Sequence, residues 1–251
     1  MTISFPPHDT HNAPPQKPTK SIVGARLKTQ LHKQLLAAAE NGDCRRLQQL
    51  LNDGADARAH NSHVLRMAAS EGHTECVRLL IPFSDPKANN SQALWMAASE
   101  GHTECVRLLA GFGDVSKALR MAARYGHVDC VALLLACRRV ISDTLLEAVL
   151  RNAASSGHSA CVALLIPNSQ PQAIYSAMIE CVETGQEQCL RMLLPHADAH
   201  THGSEALSRA VVSGHTHLID LLWEHSDPAI SLRVLKKEYA TTPHLWQAFE
   251  Q

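Results

Sequence analysis

The sequence predicts an all-α solenoid of seven helix–turn–helix units, and three observations lead to this fold class. Residues 67–80 recur without change as residues 96–109, at a distance of 29 positions. Small and apolar residues recur at helical spacing on both sides of a glycine that returns every 25 to 31 residues. A period of this length is typical of chains whose units stack and share one core. The marking glycines are Gly42, Gly72, Gly101, Gly126, Gly157, Gly185 and Gly214.

The residues before each glycine predict a first helix with a face of small side chains. In the third unit Ala97 and Ala98 precede Gly101, and alanine both favours helix and lets neighbouring helices approach closely. The glycine then ends this helix, because the position after a helix commonly needs a left-handed backbone. A histidine follows in five units, and we expect its ring to hydrogen-bond to neighbouring backbone. These histidines are His73, His102, His127, His158 and His215.

The residues after each glycine predict a second helix that buries an apolar stripe. We expect Thr103 and its counterparts to cap this helix, and Cys105, Val106 and Leu109 to face the core. Five of the eight cysteines recur at one position, which indicates packing as small hydrophobic residues in a reducing compartment. They are Cys76, Cys105, Cys130, Cys161 and Cys189.

The pattern AA-x-x-GH-x-x-C-V-x-L-L at residues 68–80 and 97–109 resembles the helix–turn–helix of the ankyrin repeat, and DGAD at residues 53–56 resembles its loop. The resemblance spans about residues 31–228 and implies recognition of proteins by loop tips and exposed edges of first helices. Family units run about 33 residues. The units near residues 81–93 are shorter where the family forms a β-hairpin. We therefore expect an ankyrin-like helix–turn–helix repeat solenoid with shortened or missing β-hairpin fingers.

The two ends of the chain differ in composition from the repeats. Residues 1–22 contain five of the twelve prolines and are expected to form a disordered Pro-rich leader, because they offer little apolar area for burial. A helix from about Gly24 leads into the array, which is assigned to residues 23–228. Residues 229–251 are expected to form a capping helix and tail, since a terminal unit must cover an apolar flank.

Composition narrows the classes of partner. The formal net charge of −1, from 23 basic and 24 acidic residues, gives no electrostatic reason to expect a nucleic-acid partner. No apolar run approaches the length of a membrane-spanning helix, so no membrane partner is expected. We expect a cytoplasmic monomer that binds another protein and has no cofactor and no metal site.

The favoured function is that of a non-catalytic scaffold that binds its partner on the concave face of the first helices. Trp, Tyr and Arg are the residue types that dominate binding hot spots, and several lie just before the marking glycines. The alternative is that Trp95 packs against the next unit and that the arginines form a solvated face. The candidate protein-binding residues are Arg66, Glu71, Trp95, Glu100, Arg120, Arg124, Tyr125 and Arg151.

Two further functions stay open. The near-identical short units and the Pro-rich leader resemble secreted bacterial effectors, which would place the chain in a host cell, bound to a host protein. The second is a metal-dependent or thiol enzyme that uses a histidine-rich region, expected to be a loop, since imidazole is a common metal ligand. However, each Cys–His pair is repeated along the chain, so we expect no catalytic residue and no enzyme. The region contains His196, His200, His202, His215 and His217.

Overall fold

The fold is a stack of seven helix pairs. The computed structural model describes residues 20–137, 141–197 and 199–227, together with residues 229, 232, 233, 236 and 237. These residues form fourteen α-helices and short 3-10 helices, without a strand among them. The prediction of an all-α repeat solenoid is thereby confirmed. Residues 1–19 of the predicted leader and most of the predicted C-terminal cap and tail lie outside the described residues.

Each unit consists of a longer first helix and a shorter second helix. The first helix of unit 1 begins at Lys20, slightly before both the expected start near Gly24 and the assigned array boundary at residue 23. From unit 1 to unit 7 the pairs are α1 (Lys20–Glu40) and α2 (Cys44–Asn52), α3 (Ala59–Ser70) and α4 (Thr74–Leu80), α5 (Ala88–Ser99) and α6 (Thr103–Leu109), α7 (Val115–Tyr125) and α8 (Val128–Ala136), α9 (Asp143–Ser155) and α10 (Ser159–Leu165), α11 (Pro171–Thr184) and α12 (Glu187–Leu193), and α13 (Ala199–Val212) and α14 (Ile219–Trp223).

The core is one apolar seam that runs through all seven units. In each first helix the small pair before the glycine is buried, as Ala97 and Ala98 are in α5. In each second helix a residue such as Leu109 is buried against it. Because a helix pair leaves one apolar flank uncovered, it is stable only when its neighbour covers that flank. The same buried cluster extends from Leu35 to Leu222.

The start of the second helix differs from the prediction. The structure makes His102 the N-cap residue of α6, and no side chain caps this helix end. Thr103 is already the first helical residue, and its hydroxyl donates to the carbonyl oxygen of Gly101 at 3.4 Å. The expectation that Thr103 caps the helix is therefore wrong. The left-handed Gly101 ends α5 so abruptly that the cap falls on the next residue.

Units 2 and 3 enter their first helices through a left-handed turn. Three consecutive residues have positive φ in α3, namely His60, Asn61 and Ser62, and the equivalent segment of α5 repeats this conformation. Left-handed backbone is costly for residues other than glycine, although asparagine tolerates it best. The buried Ser91 stabilises the second turn, because its hydroxyl accepts a hydrogen bond from the backbone N–H of Asp114 at 3.0 Å.

Unit 4 lacks this turn. Its first helix begins at Val115, directly after Asp114, whose carboxylate caps it by accepting a hydrogen bond from the backbone N–H of Ser116 at 2.9 Å. The segment of residues 88–91, which forms the turn in unit 3, has no counterpart in unit 4. Its absence explains why the interval between Gly101 and Gly126 is the shortest in the array.

Candidate protein-binding surface

The candidate surface is aligned by a contact that repeats between neighbouring units. The imidazole of His102 lies with Nε2 at 2.9 Å from the carbonyl oxygen of Ser70, which belongs to the preceding first helix. A carbonyl oxygen only accepts hydrogen bonds, so Nε2 carries the proton and donates it. The expectation that these histidines bond to backbone is confirmed. The other pairs are His73 with Glu40, His127 with Ser99, His158 with Arg124 and His215 with Glu183, at 2.8 to 3.0 Å.

The marking glycine is required by the same contact. Gly72 has a φ of +75°, and a Cβ placed on it would lie 2.5 Å from Nδ1 of His102. A larger residue would therefore be strained in its backbone and would displace the histidine ring. In unit 6 a glutamine replaces the histidine, and the side chain of Gln186 donates to the carbonyl oxygen of Ser155 at 3.4 Å. The bonded carbonyls belong to residues two positions before each glycine, so this contact fixes the C-terminal ends of the first helices.

Two of the eight candidate residues are held by polar contacts with the next unit. Nη1 of Arg66 donates to Oε1 of Gln92 at 2.5 Å. Arg151 forms an ion pair with Glu180, and its Nε lies 3.1 Å from the carboxylate. This hydrogen bond raises the pKa of the Arg151 guanidinium. Both side chains therefore join neighbouring first helices, whatever further contact they make.

Trp95 also contacts the next unit. Nζ of Lys117 lies 3.7 Å from the centroid of the Trp95 ring, which is within the range of a cation–π contact. The ring is half-buried, and its indole N–H is buried without a hydrogen-bond acceptor among the described residues. This arrangement agrees with the alternative that Trp95 packs against the neighbouring unit.

The remaining five candidates are exposed. Glu71 and Glu100 lie at the C-terminal ends of α3 and α5. Arg120 and Arg124 lie one turn apart on α7, and neither side chain has a hydrogen bond or ion pair with any residue that the structure describes. Tyr125, the last residue of α7, is 53% exposed, although most large apolar side chains of the described array are covered. We call the surface that carries all eight candidates the first-helix face.

The sequence did not reveal several polar residues that join the units on this face. Lys117 and Gln92 contact candidate residues of the preceding unit, as described above. Farther along, the hydroxyl of Tyr175 donates to Glu205, while burial raises its pKa to about 12. Arg209 pairs with Glu205 and with Glu183 of the preceding unit. The partners that belong to different units lie 22 to 30 positions apart. A search for complementary side chains at about one repeat length could have found them.

The cysteines at the repeated position are buried, as predicted, and burial opposes the thiolate form of the first four of them. Burial raises the pKa of Cys161 to about 11 and that of Cys76 to about 12. A thiol is reactive as its thiolate, so these groups stay protonated and unreactive near neutral pH. In units 3 and 4 a threonine hydroxyl lies close to the sulfur of the repeated cysteine. In unit 4, for example, Oγ1 of Thr103 lies 3.4 Å from Sγ of Cys130. The contacts of these cysteines fit a structural role.

The histidine-rich region is ordered differently from the prediction. Helix α13 (Ala199–Val212) includes His200 and His202, so the expectation of a loop there is wrong, and the helix tolerates Gly203. The side chains of these two residues lie outside the described part. His196 is exposed, and Nε2 of His217 is 3.4 Å from the carbonyl oxygen of Gly185. Among the described residues no group of three or more His, Cys, Asp or Glu side chains is placed to hold a metal ion.

The helix pairs stack, and hydrogen bonds between units hold the first-helix face in place. These two features define a helical repeat protein with an extended surface. A family model for ankyrin repeats (3 copies) matches residues 35–117 and 150–232. The chain therefore belongs to the ankyrin repeat family, whose repeats generally mediate protein–protein interaction. The interval without a match, residues 118–149, contains most of α7.

A solved structure supports the same fold. The crystal structure of the human ASB11 ankyrin repeat domain is similar with a TM-score of 0.57 and 21% sequence identity. The similarity covers 64% of this chain and 82% of that chain. At this identity it shows the fold alone. A comparison with curated proteins gives no match. In the described part of the chain, every helix is too short or too polar to cross a bilayer.

Proposed function

We propose that this chain is a non-catalytic scaffold that binds a partner protein on its first-helix face, with α7 at the centre of the contact. The observation that carries the proposal is the exposed Tyr125 beside two arginines, Arg120 and Arg124, that the described array leaves unpaired. Tyrosine and arginine are enriched in binding hot spots, because each combines a large contact area with hydrogen-bonding groups. An exposed side chain without an intramolecular partner keeps these groups available for another molecule.

The rigidity of the surface supports the proposal. The carbonyl oxygen of Arg124 accepts the hydrogen bond from His158, so the backbone beneath Arg124 and Tyr125 is fixed by unit 5. Two pairs of side chains border this centre. The Trp95 ring with Lys117 lies on one side, and the Arg151–Glu180 pair lies on the other. Because a preorganised surface loses little conformational freedom on binding, such a frame favours affinity. Arg66, Glu71 and Glu100 extend the proposed contact towards unit 2.

The test compares partner capture by two matched triple variants of the full chain. The first replaces Arg120, Arg124 and Tyr125 by alanine. The control replaces Arg78, Arg107 and Phe83, which are two exposed arginines and an exposed aromatic residue near the second helices. Proteins captured from the native cell by the unmodified chain are identified, and each is then titrated against both variants. We expect the α7 variant to bind at least about tenfold more weakly, because hot-spot residues each contribute about 2 kcal/mol or more.

Both variants should keep the unfolding midpoint of the parent chain, since exposed side chains contribute little to stability. If the captured proteins bind the α7 variant with unchanged affinity, the assignment of the binding face is wrong. Loss of binding in the control variant alone would move the function to the second helices.

A further inference from the structure

We infer that the α7 surface binds an acidic segment of the partner protein, whose carboxylates pair with Arg120 and Arg124. This inference rests on the proposed function and names the chemistry of its ligand. Its basis is a difference between equivalent arginines in the array. Arg66, Arg120 and Arg151 all lie six residues before a marking glycine. Only the arginine in unit 4 lacks a partner in the described part of the next unit.

The missing partner has a clear origin in the sequence. Arg66 uses Gln92 of unit 3, and Arg151 uses Glu180 of unit 6. The positions of unit 5 that correspond to these two acceptors are occupied by Ala148 and Asn152. Alanine offers no acceptor, and the Asn152 side chain makes no hydrogen bond with Arg120. The charge of Arg120 is consequently left for a group from outside the array.

Three cationic side chains lie on one face of α7. Lys117, Arg120 and Arg124 are spaced by three and four residues, which places them in a row over two helical turns of about 10 Å. Lys117 is positioned by the Trp95 ring. A row of this length matches two or three carboxylates of a short peptide. Arginine also binds a carboxylate through two parallel hydrogen bonds, which favours an acidic protein segment.

The surroundings favour a short acidic segment over a nucleic acid. Glu100 is exposed at the end of the preceding first helix, and Glu147 lies in the following helix α9. These carboxylates limit the positive region on both sides, and the whole chain has a formal net charge of −1. A long polyanion would meet repulsion beyond α7, whereas a peptide can place its acidic residues on α7 alone. Tyr125 offers an apolar contact beside them.

The experiment selects ligands without knowledge of the partner. A random dodecapeptide library displayed on phage is selected on the full chain, and the recovered peptides are synthesised and titrated. We expect these peptides to be enriched in Asp and Glu. The variant Arg120→Glu with Arg124→Glu should bind them about tenfold or more weakly, because two arginine–carboxylate pairs are lost and the reversed charges repel the peptide. Exchanging the acidic residues of a peptide for lysine should restore binding to this variant.

A matched variant, Arg78→Glu with Arg107→Glu, changes the net charge equally on the second helices and should bind the peptides like the parent chain. Peptides without acidic enrichment whose binding is lost in Tyr125→Ala would overturn the acidic ligand but leave the proposed face intact. Peptides unaffected by Tyr125→Ala and by the reversal at α7 would contradict both. A single-stranded RNA oligonucleotide that binds more tightly than every selected peptide would overturn the inference in favour of nucleic acid.

Discussion

Units 3 and 4 have nearly the same core and different surfaces. In both units an alanine pair, a left-handed glycine and a buried cysteine occupy equivalent positions, as Gly101 and Gly126 illustrate with φ values of +78°. At the position six residues before the glycine the two units differ. Trp95 of unit 3 contacts Lys117 of the next unit, whereas Arg120 of unit 4 is unpaired within the described array.

This difference separates the residues that build the array from those that are available to a partner. The core residues repeat because every unit must cover the apolar flank of its neighbour, so these residues serve the stacking of the units. The surface positions of units 2 and 3 are also used between units, by Arg66 and Trp95. Unit 4 breaks this pattern, and it also lacks the left-handed entry turn of units 2 and 3. Under the proposed function, the residues that bind the partner therefore lie where the repeat is interrupted.

The largest expected effect concerns the core that the two units share. Gly101→Ala and Gly126→Ala should each lower the free energy of unfolding by about 2–3 kcal/mol. About 1–2 kcal/mol comes from the left-handed backbone and about 1 kcal/mol from the displaced histidine hydrogen bond. Urea denaturation followed by circular dichroism measures both variants. Equal losses are expected, because a Cβ would lie 2.5 Å from the histidine Nδ1 in either unit.

Two other glycines separate these contributions. Gly54 has a φ of +86° but no atom within 4 Å of an added Cβ, so Gly54→Ala should show the backbone cost alone. Gly111 has neither a positive φ nor a close neighbour, and Gly111→Ala should change stability by less than about 0.5 kcal/mol. If Gly126→Ala lowers the free energy of unfolding no more than Gly111→Ala does, the left-handed glycine and its histidine contact do not stabilise unit 4 as they stabilise unit 3.

A smaller effect is expected from the histidine that joins the two units. His127→Ala removes the hydrogen bond to the carbonyl oxygen of Ser99 and should lower the free energy of unfolding by about 1–2 kcal/mol. His127→Gln should retain part of this stability, because Gln186 fills the same position in unit 6 and bonds to Ser155. Thermal unfolding of the three proteins measures the order. If glutamine is no better than alanine, the hydrogen bond is not the source of the stabilisation.

The sequence predicted the features that depend on nearby residues. The helix pairs, the left-handed glycine and the bond of His102 to backbone all follow from a few adjacent positions that recur. The N-cap of α6 was predicted one residue too late, since preference for threonine as a cap is outweighed by the turn that Gly101 imposes. The loop expected at His200 is a helix, because the seventh unit completes its first helix in the same way as the others.

The contacts of the candidate surface were much less predictable. Whether Trp95 is free or covered depends on which side chain of α7 lies over its ring, and that side chain, Lys117, belongs to a helix that starts without the entry turn of units 2 and 3. Sequence spacing alone does not contain this geometry. The left-handed turn was also not predicted, because three successive non-glycine residues with positive φ are disfavoured locally and persist only through tertiary bonds such as that of Ser91.

The surface difference between units 3 and 4 can be tested directly, and Arg120 of unit 4 has the smallest expected effect. Trp95→Ala should lower the free energy of unfolding by about 1–3 kcal/mol, since a half-buried ring and its contact with Lys117 are lost. Trp95→Phe keeps an aromatic ring under Lys117 and removes a buried N–H that has no described acceptor, so its loss should be below about 1 kcal/mol. Arg120→Ala should change stability by less than about 0.5 kcal/mol.

Urea denaturation of these three variants ranks them on one scale. If units 3 and 4 differ as described, Trp95 of unit 3 stabilises the array and Arg120 of unit 4 does not. A loss for Arg120→Ala as large as that for Trp95→Ala would mean that Arg120 is also used between units, and Arg120 could then no longer serve as one of the unpaired cations of α7. A negligible loss for Trp95→Ala would instead return Trp95 to the residues available to a partner, because its contact with Lys117 would be too weak to compete with an incoming ligand.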